Sequence, residues 1–190
     1  MTIKIRISGT GRALPQAIHT TAEIEARLGL PPGRLAATGV VRRRVCTVED
    51  QVSLAVAACR LALADAGLGP ADIGLVIFGA AVPYQPIPAT APLVMRGLGM
   101  ADGSAAAFDV NSTCLSFLTA IETAAHRIAL GEVDHALVVA SEIASRALPW
   151  EADPETAALF GDGAAAAVLS RGQGAAQVQA TLFRSYPSAY

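Results

Sequence analysis

Hydrophobic and polar positions along the chain follow two periods that take turns. Residues 3–9, Ile-Lys-Ile-Arg-Ile-Ser-Gly, change polarity at every step, as a half-buried strand does. Thr20 or Thr21 caps a short helix running to Leu28, stopped by Gly29 and the Pro31-Pro32 pair. Thr47 and Asp50 resemble a capping box that opens a longer helix. Its apolar positions Val52, Ala55, Val56, Cys59, Leu63 and Ala66 recur at helical spacing before Gly67 closes it. Residues 73–79 form an unbroken apolar run between turn signals, which suits a strand buried on both faces. A Pro-rich loop, 82–91, leads into a helix ending near Gly97. A strand over 106–110 and a helix over 115–130 follow, the helix with Leu118, Ile121, Ala125 and Ile128 on one face. Residues 135–141, 164–170 and 177–184 read as three further strands. Helices between buried strands are crossover connections, so the pattern predicts one α/β unit with a mostly parallel sheet covered on both faces.

Composition narrows this further. With 53% hydrophobic and 16% charged residues, the chain is no disordered segment. Fourteen Lys and Arg against 16 Asp and Glu leave a net charge of −2, which gives no reason to expect nucleic acid. No apolar run approaches the ~20 residues that cross a bilayer, and residues 1–6 lack the apolar core of a signal peptide. Cys46, Cys59 and Cys114 are odd in number, far apart and without metal-ligand spacing, so a reducing cytoplasm is expected. Alanine makes up about a fifth of the chain. Side chains that small let helices and strands approach closely, although a GC-rich genome produces the same bias.

Two segments carry candidate chemistry. Asp109-Val-Asn-Ser-Thr-Cys114-Leu-Ser-Phe117 places a cysteine where a buried strand turns into a helix. The first helical N–H groups lack internal partners, and the helix dipole favours negative charge there. A thiolate at that point is stabilised and made more nucleophilic at neutral pH. The same N–H groups are candidates to bind the oxyanion of a thioester under attack. Taken alone, a cysteine in this place reads equally well as a small core residue. The second segment, Phe160-Gly-Asp-Gly-Ala-Ala-Ala-Ala-Val-Leu169, reads locally as a tight turn into a core strand. A phosphate loop fits less well, because no Lys follows at the Walker spacing. No Gly-x-Ser-x-Gly elbow surrounds Cys114 or Ser112, which excludes a serine-type α/β hydrolase.

Together the motifs point to a family. Asp109–Phe117, Ala136-Leu-Val-Val-Ala-Ser-Glu142 and Phe160–Leu169 closely resemble the β-ketoacyl-ACP synthase III group of the thiolase superfamily. Thr38-Gly39-Val40 followed by Arg42-Arg43-Arg44, and Ala64-Asp-Ala-Gly-Leu68, agree with it. The resemblance implies a five-layer α-β-α-β-α sandwich of two similar halves, dimerising through the N-terminal half. Residues 1–190 match that half alone, as a single unit with a mostly parallel five-stranded sheet. Cys114 matches the nucleophile that takes an acyl group from a thioester, on acyl carrier protein or CoA. The family then condenses it with a malonyl-type nucleophile, using a histidine, an asparagine and an oxyanion-hole glycine from the C-terminal half. No metal or redox cofactor is implied.

The resemblance also assigns secondary roles. Ile87, in the Pro-rich loop, matches a residue that lines the partner subunit's acyl tunnel, and Phe160 one beside the active-site cavity. Gly33 and Ala37 stand approximately where acyl-CoA users carry a Trp and an Arg, which favours a carrier-protein donor. Arg34, Arg42, Arg43 and Arg44 form either a docking face for an acidic carrier protein or an ordinary solvated surface. His126 lies twelve residues beyond Cys114, about 18 Å along a helix, and no motif places His19 or His135. A complementary C-terminal half is therefore expected to supply the histidine, from a split gene or a processed enzyme. The rival reading is a catalytically silent scaffold subunit.

Overall fold

The computed structural model describes residues 5–189, so the first two positions of the strand expected over 3–9 lie outside the described residues. β1 (Ile5–Ala13) is followed by the short β2 (Ala17–Thr20) and α1 (Thr21–Leu28). Thr20 caps α1 through a capping box with Glu23, and Gly29 ends it in the left-handed conformation, as the sequence predicts. β3 (Arg42–Val45) pairs antiparallel with β2 in a two-stranded sheet that the hydrophobic pattern does not announce. α2 (Gln51–Ala66) begins three residues later than a Thr47 cap would require. Asp50 is the cap, accepting from Val52 and Ser53, with Ser53 closing the box.

β4 (Leu75–Gly79), α3 (Ala91–Leu98), β5 (Ala106–Val110), α4 (Ser116–Ala129), β6 (His135–Glu142), the single-turn α5 (Pro154–Ala157) and β7 (Gly163–Arg171) complete the chain. The main sheet has the order β1-β7-β6-β4-β5. It is mixed, with four of its five strands in one direction as expected: β4 runs parallel to β5 and β6, and β7, antiparallel to both β6 and β1, is the one reversed strand. The β4–α3–β5 and β5–α4–β6 passages each carry a crossover helix, and α2 lies on the longer passage from β1 to β4. β6 reaches β7 through a loop and one helical turn, and the strand comes back beside it in the opposite sense. Residues 177–184 form no strand. Only the stretch around Gln177 and Val178 touches the free edge of β1, and the chain then leaves the sheet.

The sheet separates two cores with period-two alternation. Val76, Phe78, Leu137, Val139, Ala166 and Val168 face α2 and α3. Leu75, Ile77, Ala136, Val138 and Leu169 face α4. The alanine density has a structural use here, because a Cβ at Gly11 would lie 2.1 Å from the Ala58 carbonyl oxygen. Backbone therefore packs on backbone where β1 crosses α2. α4 behaves the same way, its inner face being Ser116, Ala120, Ala124 and Ile128. Leu118, expected on that face, is 51% exposed. Among the described residues no helix is long and apolar enough to cross a membrane.

Candidate active site

Because β4, β5 and β6 are parallel, their C-terminal ends lie along one edge of the sheet, where open α/β sheets place their ligand sites. Cys114 lies at that edge, on the five-residue link between β5 and α4, and its side chain is free and exposed. Cys46 and Cys59 are buried. Burial, then the Asp162 and Glu49 carboxylates, push the Cys46 thiol up to about 11. Burial alone pushes that of Cys59 to about 12. Of the three thiols, that of Cys114 alone is open to solvent.

The link is a sharp turn held by side chains. Thr113 adopts φ 53°, a conformation that a β-branched residue rarely takes. The Thr113 amide donates to Asn111 Oδ1 at 3.0 Å, and the Ser112 amide donates to Ser116 Oγ at 2.9 Å. Ser116 Oγ in turn reaches the Thr113 carbonyl at 2.6 Å. No side chain caps α4. The Leu115 and Ser116 amides are nonetheless taken up by the Ser112 and Thr113 carbonyls. These two N–H groups are thus unavailable to an oxyanion, contrary to the reading of a wholly open helix start.

Behind the turn lies the segment 80–82, where β4 leaves the sheet. Ser116 Oγ is 3.3 Å from the Ala80 carbonyl and Asn111 Nδ2 3.4 Å from that of Ala81. Gln51 Nε2 donates to the Val82 carbonyl at 2.8 Å and to that of Ser141 at 2.6 Å. Glu142, at the end of β6, accepts from the amides of both Ala81 and Val82. Burial raises its carboxyl above the ordinary range, while the two amide bonds pull it back down. Gly79 makes this proximity feasible: a Cβ there would meet the Ser116 carbonyl oxygen at 2.8 Å.

The Pro-rich loop is anchored at its far end as well. Asp109 accepts from Thr90 and Ala91 at 2.7 and 2.8 Å, holding the start of α3. Between the anchors, Ile87 is 87% exposed and so lines no pocket of its own chain. Phe160 is 44% exposed, beside a rigid turn. There buried Asp162 accepts from the Cys46 amide, the Ser145 amide and Ser145 Oγ at 2.7–2.9 Å. The Phe-Gly-Asp-Gly segment is thus a pinned turn, as its local reading predicts.

Three comparisons bear on this arrangement. Residues 108–187 match the family model of 3-oxoacyl-[acyl-carrier-protein (ACP)] synthase III. The chain is 39% identical over 170 residues to a β-ketoacyl-[acyl-carrier-protein] synthase III of Rhizorhabdus wittichii, covering 88% of this chain and 52% of that protein. The fold superposes on the 3-oxoacyl-[acyl-carrier-protein] synthase III of Aquifex aeolicus with TM-score 0.83 and 34% identity, over 90% of this chain and 55% of the other. The chain belongs to the β-ketoacyl-ACP synthase III family. A priming β-ketosynthase from the R1128 polyketide biosynthetic pathway is also similar, with TM-score 0.83 and 29% identity over 91% of this chain and 52% of the other. The fold is accordingly thiolase-like, and the chain spans about half the length of the curated relatives it matches.

None of the three histidines joins Cys114. His126 lies in the last turn of α4, and His135 opens β6 at the opposite sheet edge, bonded to Ser170 Oγ at 2.8 Å. His19 lines a separate cleft of about 380 Å³ with Trp150, Glu151 and Arg27, whose guanidinium stacks 5.5 Å over the indole. The basic run is also reassigned. Arg43 is buried and donates to the Ala158 carbonyl at 2.7 Å, Arg44 donates to the Pro15 and Gln16 carbonyls, and Arg34 pairs with Glu155. Burial lowers the Arg43 pKa, and the side chain serves as an internal tie, outside any docking surface. Glu142, Gln51 and Ser116 escaped sequence reasoning. The available signal was a carboxylate closing the apolar run of β6.

Proposed function

We propose that Cys114 is the acyl-accepting nucleophile of a ketoacyl-synthase-III-type acyltransferase. The Cys114 sulfur attacks the thioester carbonyl carbon, the new C–S bond forms, and the donor thiolate leaves. The observation that carries this reading is the presentation of the one exposed thiol on a strained strand-to-helix turn at the edge shared by three parallel strands. The histidine and asparagine for decarboxylative condensation come from a complementary C-terminal half, to which residues 1–190 are the N-terminal counterpart. The donor is an acyl group on a carrier protein or CoA, as the names of the relatives suggest for them. Ile87 lines the acyl tunnel of a second copy in a dimer, and Phe160 borders the acyl cavity. Fatty acid or polyketide biosynthesis in the cytoplasm is the setting.

Intact-mass measurement after incubation with acyl carrier protein or acyl-CoA donors tests the nucleophile. The wild-type chain, Cys46→Ser and Cys59→Ser gain one acyl group, and Cys114→Ser gains none. Equal acylation of Cys114→Ser refutes the assignment. No uptake by any of the four, with or without a C-terminal half, favours a silent scaffold.

A further inference from the structure

We propose that Glu142 is a positioning residue for Cys114, acting through the 80–82 segment. This inference rests on Cys114 being the nucleophile. Glu142 does not touch the cysteine. Its carboxylate accepts from the Ala81 and Val82 amides, while the carbonyls of Ala80 and Ala81 are the braces for Ser116 and Asn111. Those two side chains define the turn on either side of Cys114, one holding the Thr113 amide and the other the Thr113 carbonyl. The segment is gripped from both sides: its N–H groups by a carboxylate on β6, and its Ala81 carbonyl by Asn111 on the β5–α4 link. The Ser116 hydroxyl, whose one hydrogen goes first to Thr113, lies 3.3 Å from the Ala80 carbonyl. A third grip, from Gln51 to the Val82 and Ser141 carbonyls, ties β6 to the same point.

The chemistry of the grip is specific. A carboxylate offers two acceptor oxygens to two adjacent backbone amides, and only an acceptor-only group of that shape satisfies both. Glutamine keeps the length and volume but places an NH2 donor against one of the amides. Alanine removes both acceptors. The consequence falls on the segment first and on the thiol second, so it changes how well Cys114 is aimed rather than how the donor binds.

The test uses the 190-residue chain with and without a complementary C-terminal half, acetyl-CoA and acetyl-acyl carrier protein as donors, and iodoacetamide as a donor-independent probe of the thiol. Glu142→Gln is expected to lower the maximal acylation rate about 10- to 100-fold, the range for a small displacement of a reacting group. The half-saturating donor concentration should stay within about twofold, and Glu142→Ala should lose more. Alkylation of Cys114 should change in the same Glu, Gln, Ala order, with circular dichroism unaltered for the Gln variant. Wild-type acylation and alkylation rates in a folded Glu142→Gln overturn the proposal. So does a loss expressed only as weaker donor saturation, or one matching the fraction unfolded. A Cys114→Ser control that still takes up acetyl refutes the nucleophile instead, and the alkylation series then still decides whether Glu142 sets the turn.

Discussion

Ser116 Oγ lies 2.6 Å from the Thr113 carbonyl oxygen, and this contact closes the turn that presents Cys114. The same hydroxyl accepts from the Ser112 amide, so one small side chain satisfies two backbone groups around a residue at φ 53°. Ser116→Ala removes a buried hydroxyl and leaves that amide without its partner in the protein. We expect a stability loss of about 1–3 kcal/mol, measured by urea unfolding. Slower iodoacetamide labelling of Cys114 should accompany it. Unchanged labelling would show that the turn holds its shape without the hydroxyl.

Gly11→Ala tests whether the alanine-rich packing is tight or incidental. The added methyl would stand 2.1 Å from the Ala58 carbonyl and 2.5 Å from the Ala62 amide, both backbone atoms that cannot rotate aside. α2 must then shift off β1, at a cost of about 1–3 kcal/mol or more. Chemical denaturation reads the loss. A variant as stable as the wild type would mean that the two elements slide apart freely.

The buried thiols make a pH prediction. Cys46 is held up to about 11 and Cys59 up to about 12, against 9.0 for the unfolded group. The folded chain therefore keeps protons that the unfolded chain releases, and stability falls as pH rises above 9. This contribution is complete below pH 9 and is lost through about 11 for Cys46. Cys46→Ala should flatten the fall between pH 9 and 11 in urea midpoints. At pH 8 a thiol reagent should label Cys114 and leave Cys46 and Cys59 unmodified in peptide maps.

Donor preference follows from Gly33 and Ala37, which lack the ring and the cation that would stack and pair with a CoA nucleotide. Acyl carrier protein should therefore acylate Cys114 faster than the same acyl group on CoA at equal concentration. Intact-mass time courses make the comparison. If CoA is faster, Trp150→Ala is the next variant, since the Arg27–Trp150 cleft then becomes the candidate for the nucleotide.

Local chemistry made much of this protein legible from its residues. Thr20, Gly29 and Gly67 bound their helices where capping rules place them, and the strand over 106–110 is found in place, because these signals act within a few residues. The strand-to-helix position of Cys114 was readable for the same reason. The antiparallel return of β7, the β2–β3 pair and the loss of a strand over 177–184 were not, since pairing depends on which edge is available and a short polar segment carries no mark of its partner.

Side-chain roles divide in the same way. The sequence determined that a cysteine would stand at a helix start and that Asp162 would sit in a tight turn, because both follow from residue order. Only the tertiary structure decided that Arg43 is internal while its neighbours Arg42 and Arg44 are exposed, since alternation across a strand gives each residue a different side and the fold decides which side is covered. Likewise, Glu142 and Ser116, 26 positions apart in sequence, meet through the 80–82 segment only because β4 lies between β5 and β6. Hydrogen bonds of that kind join backbone ends that chain order keeps apart, and their partners exist only once the sheet is assembled.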